Sequence, residues 1–222
     1  MGNPAACLFD LDGLLLDTEP LHGQAWLEAT SVYGLTLAAD QLLALRGRRR
    51  LDCAQQVCHW LAEGGLAVPA VDTLLAVRQP IAEALMRQVP AMPGAQRLVE
   101  RCAQRGIPMA LVTSSSSQAV ALKQAPHPWL AAITQRVYGD DPELAAGKPA
   151  PDPYLLAARR LAVEVSRCWA FEDSPAGARA AHDAGSRVHV LLPSAGSLAQ
   201  HIRSLLPAGC ELLQSLEQVH LL

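Results

Sequence analysis

The chain has 222 residues, half of them hydrophobic and 4% aromatic, with a formal net charge of −3. That length holds one large domain, or a core with an insertion, and the Ala- and Leu-rich, aromatic-poor composition favours helices packed around a modest sheet. The acidic balance argues against a nucleic-acid or membrane-surface protein, whose affinity would come from excess Lys and Arg, and no apolar run is long enough to span a bilayer.

The start, MGNPAACLFD, lacks a basic leader and an apolar signal core, and Ala6 stands where N-myristoylation wants Ser or Thr. The expected compartment is the cytosol. The six cysteines, at 7, 53, 58, 102, 168 and 210, form no CxxC pair and no zinc spacing. They read as reduced, mostly buried thiols.

Residues 5–9 read as a short buried strand. From Pro20 to about Arg87 the apolar residues recur with helical spacing, among them Trp26, Leu27, Leu42, Leu43, Val57, Leu61, Leu74 and Leu85. Gly34, Gly64, Gly65 and Pro69 punctuate several helices there, with no clear strand. After Pro93-Gly94 strand and helix alternate. A helix over 95–104 ends at Gly106, "IPMALV" (107–112) is a strand, and "TSSSSQAVALKQA" is a helix entered through Ser. "ITQRVYG" is a weaker strand. Asp152 is expected to cap the next helix, with Pro153 at its first position. "RCWAF" (167–171) is a strand, Ser174 and Pro175 open a helix that Gly185 closes, "RVHVLL" is a further strand, and the tail adds a short strand and helix.

Alternating strand and helix predict an α/β protein, a Rossmann-like parallel sheet with helices on both faces. The helical stretch reads as an inserted α-helical cap domain, residues 18–87, in a core made of 1–17 and 88–222.

The chemistry-bearing residues follow the strands. Asp10 and Asp12 come after the first, Thr113 and Ser114 after "IPMALV", and Glu172 and Asp173 after "RCWAF"; Lys148 precedes the helix at Asp152. Ligands of open parallel sheets bind outside the strands' carboxyl ends. In extended chain, residues i and i+2 share a side, so Asp10 and Asp12 face one site while Leu11 points to the core. With Asp173 they form a cluster of negative charge that a hard cation such as Mg²⁺ would hold together. Lys148 supplies a point charge for a phosphate, and Thr113 with the amides of the following helix N-terminus would bind its oxygens. One carboxylate then attacks phosphorus and the other moves the leaving-group proton. Each signal alone has a plainer reading: DG as a hairpin turn, Ser114–Ser117 as a flexible turn or cap, Lys148 as a surface lysine, Glu172-Asp173 as a helix start. Gly13 comes too early for a calcium loop. Together and in order, they point to a catalytic site.

On "FDLDGLLLDTEP", "ALVTSS", "GKPAPDPYLLAA" and "FEDSPAGARAAHDAG", the chain resembles the haloacid dehalogenase-like superfamily, in its phosphatase and phosphoglucomutase-like branch. The resemblance covers nearly the whole chain and is weakest in the helical insert. It implies Asp10 as nucleophile, Asp12 as general acid/base, and Thr113 and Lys148 as holders of the transferring phosphoryl group. Mg²⁺ would be held by Asp10, Asp173 and the backbone carbonyl of Asp12, with Glu172 either a ligand or the partner of one. The paired aspartate favours phosphoryl transfer over dehalogenation. The core loops are similar to those of pseudouridine-, polyol- and sugar-phosphate phosphatases. His22 and Arg50 stand where related sugar phosphomutases carry a His and a phosphate-binding Arg, and at least one of Arg46, Arg48, Arg49 and Arg50 is expected to touch substrate. Ser114 and Glu19 complete the expected substrate contacts. A Lys late in the cap of those mutases has no clear counterpart; Arg78 and Arg87 are nearby. The expected activity is hydrolysis of a small phosphorylated metabolite by a monomer, with a sugar phosphomutase as the alternative and a non-enzymatic phosphoryl-binding protein as a minor third.

Overall fold

A computed structural model describes residues 2–45, 48, 50–193 and 196–221. Six strands form one parallel sheet: β1 (Ala6–Phe9), β2 (Met109–Val112), β3 (Gln135–Val137), β4 (Cys168–Glu172), β5 (Arg187–Leu191) and β6 (Glu211–Leu213). Their order is β3-β2-β1-β4-β5-β6. β1 pairs with β2 on one side and β4 on the other, with Phe9 beside both Leu111 and Phe171. Chain connections therefore leave β1 in opposite directions. A crevice must open at the carboxyl ends of β1 and β4, the topological switch point.

Alternation along the strands sorts the core. Cys7, Phe9, Leu111 and Phe171 pack into one layer, and Ala6, Leu8, Ala110, Val112 and Ala170 into the other. Both faces are covered, which is why the strands read as continuous apolar runs. α5 (Ala95–Gln104) belongs to the first layer; α7 (Asp152–Arg160) and α8 (Pro175–Asp183) belong to the second. α6 (Ser117–Gln124) follows β2, and α9 (Ser197–Leu205) precedes β6.

Between β1 and α5 stand α1 (Glu19–Ser31), α2 (Ala39–Leu45), α3 (Arg50–Glu63) and α4 (Val71–Met86). They build a third core of their own around Trp26, Leu37, Leu45, Val57, Leu61 and Leu74, with α1 packed along α4. Among the described residues no strand occurs in this stretch, and no helix is long and apolar enough to cross a membrane.

The expected elements are present with small shifts. β2 begins at Met109, two residues after the apolar run starts, and Glu172 closes β4 instead of following it. The Asp152 cap is corrected: Asp152 is itself the first helical residue, Pro151 holds the cap position, and no side chain caps α7. Ser174 does cap α8, accepting from the Gly177 amide at 3.1 Å. All six cysteines are free thiols, four of them buried.

Candidate active site

Asp10 leaves β1 with its amide bonded to the Phe171 carbonyl (3.0 Å), which ties the end of β1 to β4. Its side chain is buried. Lys148 reaches it from the loop before α7, donating to Asp10 Oδ1 (2.6 Å), Glu172 Oε1 (2.5 Å) and the Val112 carbonyl (2.9 Å). Those bonds use all three ammonium donors. Glu172 is fully buried and also accepts from the Tyr154 hydroxyl and from Ser174 Oγ (3.4 Å). Burial pushes the Asp10 carboxyl up to about 7 against the pull of Lys148, with Glu172 and Asp12 adding to the rise. Burial works against the Lys148 ammonium too, but Asp10 and Glu172 overcome it and raise its pKa.

Oxygens of Asp10, Glu172 and Asp173 lie within 4.8 Å of one another. Two glycines let the chain pack around them. Gly13 has φ +85°, and a β-carbon there would run into the Asp173 carboxylate and the Glu19 stem. A β-carbon on Gly177 would occupy the place of the Glu172 carboxylate.

Asp12 has a different set of partners. Leu11 between the two acids is buried, as expected. Lys123 donates to both Asp12 oxygens (2.5 and 2.7 Å), Ser115 Oγ donates to Oδ2 (2.8 Å), and Thr113 Oγ1 lies 3.4 Å from Oδ2. On the side of the helical insert, His22 Nε2 stands 3.3 Å from Oδ1. Burial would raise this carboxyl, but Lys123 and His22 outweigh it and hold the group well below the usual range. The other ring nitrogen of His22 meets Arg78 at 3.1 Å. Arg78 is buried, with its guanidinium 4.5 Å over the Trp26 ring. Burial pushes its pKa down to about 10 and lowers that of His22.

A cavity of about 1640 Å³ opens here, lined from the sheet side by Asp10, Asp12, Ser114 and Asp173 and from the helical insert by Glu19, His22, Arg48, Arg50 and Arg78. Arg50 is exposed and donates to Gln79 Oε1 at 2.6 Å. Arg46 and Arg49 lie outside the described residues. Thr113 is buried beside Asp12. One expectation changes: two amides at the α6 N-terminus are already engaged. Ser117 donates through its amide and hydroxyl to Asp140 (2.9 and 3.1 Å), and Ser116 caps the Ala119 amide. Sequence reading passed over Lys123, Ser115 and Tyr154 and left Arg78 out of register. Lys123 lies in a helix with no motif around it, and its only signal was a lysine on the apolar face formed with Val120.

A parallel sheet in the order 3-2-1-4-5-6, with clustered carboxylates and buried lysines at its switch point, defines a Rossmann-like α/β core with a candidate cation site. More narrowly, the chain belongs to the haloacid dehalogenase-like hydrolase family, whose sequence profile matches residues 4–185. It is 36% identical over 194 residues to a probable pseudouridine-5'-phosphatase of Drosophila melanogaster, covering 84% of this chain and 80% of that one. It is 32% identical over 197 residues to (DL)-glycerol-3-phosphatase 1, mitochondrial, of Arabidopsis thaliana; that match spans 86% of this chain and 65% of the relative, just under two thirds. Among solved structures, CbbY of Rhodobacter sphaeroides, a mutant in complex with xylulose 1,5-bisphosphate, superposes with a TM-score of 0.80 at 28% identity, over 99% of this chain and 97% of that one.

Proposed function

We propose that the chain is a Mg²⁺-dependent phosphatase that hydrolyses a small phosphomonoester with a sugar, polyol or nucleoside leaving group, acting as a cytosolic monomer. The observation that carries this reading is the charge arrangement at the switch point. Four carboxylates, Asp10, Asp12, Glu172 and Asp173, share the site with two buried lysines, Lys148 and Lys123. The formal charge of two left over matches a divalent cation. The donor set fits that ion: all oxygen, held in place, and buried so that the charge on Asp10 is disfavoured without a cation beyond Lys148. Asp10, Asp173 and the Asp12 carbonyl would hold it, with Glu172 either a further ligand or the group that orients them. Bound there, the cation supplies positive charge to the transferring phosphoryl oxygens.

The protein's own groups do the rest. Asp10 attacks phosphorus, forming an Oδ–P bond as the ester P–O bond breaks, and Asp12, charged at rest, relays to the departing oxygen the proton that the ester monoanion brings. Asp12 then takes a proton from water, the new hydroxyl oxygen bonds to phosphorus, and the aspartyl-phosphate opens to free phosphate. Lys148 keeps Asp10 oriented, and Thr113 and Ser114 offer polar contacts to the phosphoryl group. We read α1–α4, residues 18–87, as a cap that closes over the substrate, excluding bulk water and bringing Glu19, His22 and Arg50 to the leaving group.

The relatives named above support a small phosphorylated metabolite as substrate. A sugar phosphomutase is a second reading, favoured by one contact: His22, on the cap side, reaches Asp12 and is backed by Arg78. Phosphate release from a panel of esters, with Mg²⁺ and with EDTA, tests both. The panel holds pseudouridine 5'-phosphate, glycerol 3-phosphate, hexose 6-phosphates, nucleoside monophosphates, xylulose 1,5-bisphosphate and β-glucose 1-phosphate with a bisphosphate primer. Mg²⁺-dependent release that favours one ester supports the phosphatase. Isomerisation of glucose 1-phosphate without release replaces it with the mutase. Neither, with tight binding of one ester, leaves only a binding protein.

A further inference from the structure

We propose that Lys123 is a positioning residue of the reaction: from α6 it holds the carboxylate of Asp12 toward the leaving oxygen of the ester. The proposal rests on the phosphatase reading above. Lysines at the last turn of a short helix ordinarily extend into water. Lys123 is instead 1% exposed, among the largest wholly buried side chains of the protein. A buried ammonium is costly unless paired and fully hydrogen-bonded. Its three donors go to Asp12 Oδ1, Asp12 Oδ2 and Ser115 Oγ, at 2.5, 2.7 and 2.8 Å.

That count excludes the more obvious role. With every donor committed and almost no surface open, Lys123 has nothing to offer a phosphate. Lys148 cannot take over its task, because its own donors end on Asp10, Glu172 and Val112. Without Lys123, Asp12 would stand two residues from Asp10 with only hydroxyls and the His22 ring beside it, and its neighbours' negative charge would drive it outward. A fork onto both oxygens also fixes the plane of the carboxylate, which a single contact would not. Ser115 braces the fork: its hydroxyl accepts from Lys123 and donates to Asp12. A proton donor displaced by about 1 Å can lose on the order of a hundredfold in rate.

Leaving groups separate this role from a merely structural one. An alkoxide needs the proton that Asp12 delivers; p-nitrophenolate departs without one. The experiment measures leaving-group release in a single turnover, with enzyme in excess and Mg²⁺ present. It compares p-nitrophenyl phosphate with the alkyl ester that the wild type cleaves fastest. Lys123→Met is expected to slow the alkyl ester about 100-fold and p-nitrophenyl phosphate less than about 3-fold, as for loss of a general acid. Ser115→Ala is expected to show the same bias at about 10-fold, and decides the question if Lys123→Met does not fold. Equal slowing of both esters, or an alkyl ester that is not slowed, overturns the proposal. Failure of the wild type to release any leaving group overturns the phosphatase reading instead.

Discussion

Gly177→Ala should destabilise the protein, although alanine normally strengthens a helix. Gly177 lies in the first turn of α8, where a β-carbon would sit among the carboxylate atoms of Glu172, well inside van der Waals contact. The carboxylate has no free direction, because Lys148 and the Tyr154 hydroxyl hold it in a fully buried place. Two escapes are open. If Glu172 moves, a buried ion pair breaks, at about 3–5 kcal/mol. If α8 moves, overpacking costs about 1–3 kcal/mol, and the Ser174 cap on the Gly177 amide adds about 1 kcal/mol more. The cheaper route comes to about 3 kcal/mol, against a helix-propensity gain of about 1 kcal/mol. A net loss of about 2 kcal/mol is expected in equilibrium urea unfolding. Gly23→Ala is the control. Gly23 is also helical, in α1, but nothing lies within 4 Å of a β-carbon there. It should gain about 0.5–1 kcal/mol, so two identical substitutions in helices move stability in opposite directions. If Gly177→Ala is as stable as the wild type, Glu172 is not held as described and the packing around the carboxylate cluster is wrong.

Asp10→Asn should abolish phosphate release while the far-ultraviolet circular dichroism stays unchanged; retained turnover would remove Asp10 as nucleophile. Mg²⁺ should raise the wild-type Tm and EDTA reverse it, and Asp173→Asn should lose that shift; an Asp173→Asn protein stabilised as fully as the wild type would take Asp173 out of the metal site. Away from the site, Arg160 donates to both oxygens of Asp141 (2.7 and 2.9 Å), and these bonds hold that carboxyl below its ordinary pKa. A depressed carboxyl stabilises the fold above its unfolded pKa and loses that contribution as pH falls through its folded one. Asp141→Asn should therefore cost about 1–2 kcal/mol at pH 7, with the two unfolding curves converging in acid; a constant gap at all pH values would refute the pairing. Arg50→Ala should leave stability within about 0.5 kcal/mol, since the side chain is exposed, while raising KM several-fold for the preferred ester; an unchanged KM would return Arg50 to a solvated basic face.

How far the site could be read from the sequence follows from where each group sits on the fold. Asp10, Asp12, Thr113, Glu172 and Asp173 all end or follow strands, so one rule, that ligands bind at the carboxyl edge, gathers them without knowledge of any contact. Pairing is less legible. Nothing in "DLDG" says that its two aspartates answer to different lysines 25 residues apart in the chain, one on a loop and one on a helix. Lys148 stood in a motif, but its place against both Asp10 and Glu172 depends on the register of β1 against β4. Lys123 had no motif, because a helix presents a residue inward by rotation, and α6 is too short and mixed for its buried face to declare itself. Arg78 shows the same limit in the insert. Its link to His22 crosses 56 residues and depends on how α4 lies along α1, which helical spacing alone does not specify. Helix-borne side chains are set by interhelical packing, whereas strand-end residues are set by topology. Lys123 and the contact between Arg78 and His22 are for that reason what only the structure supplies.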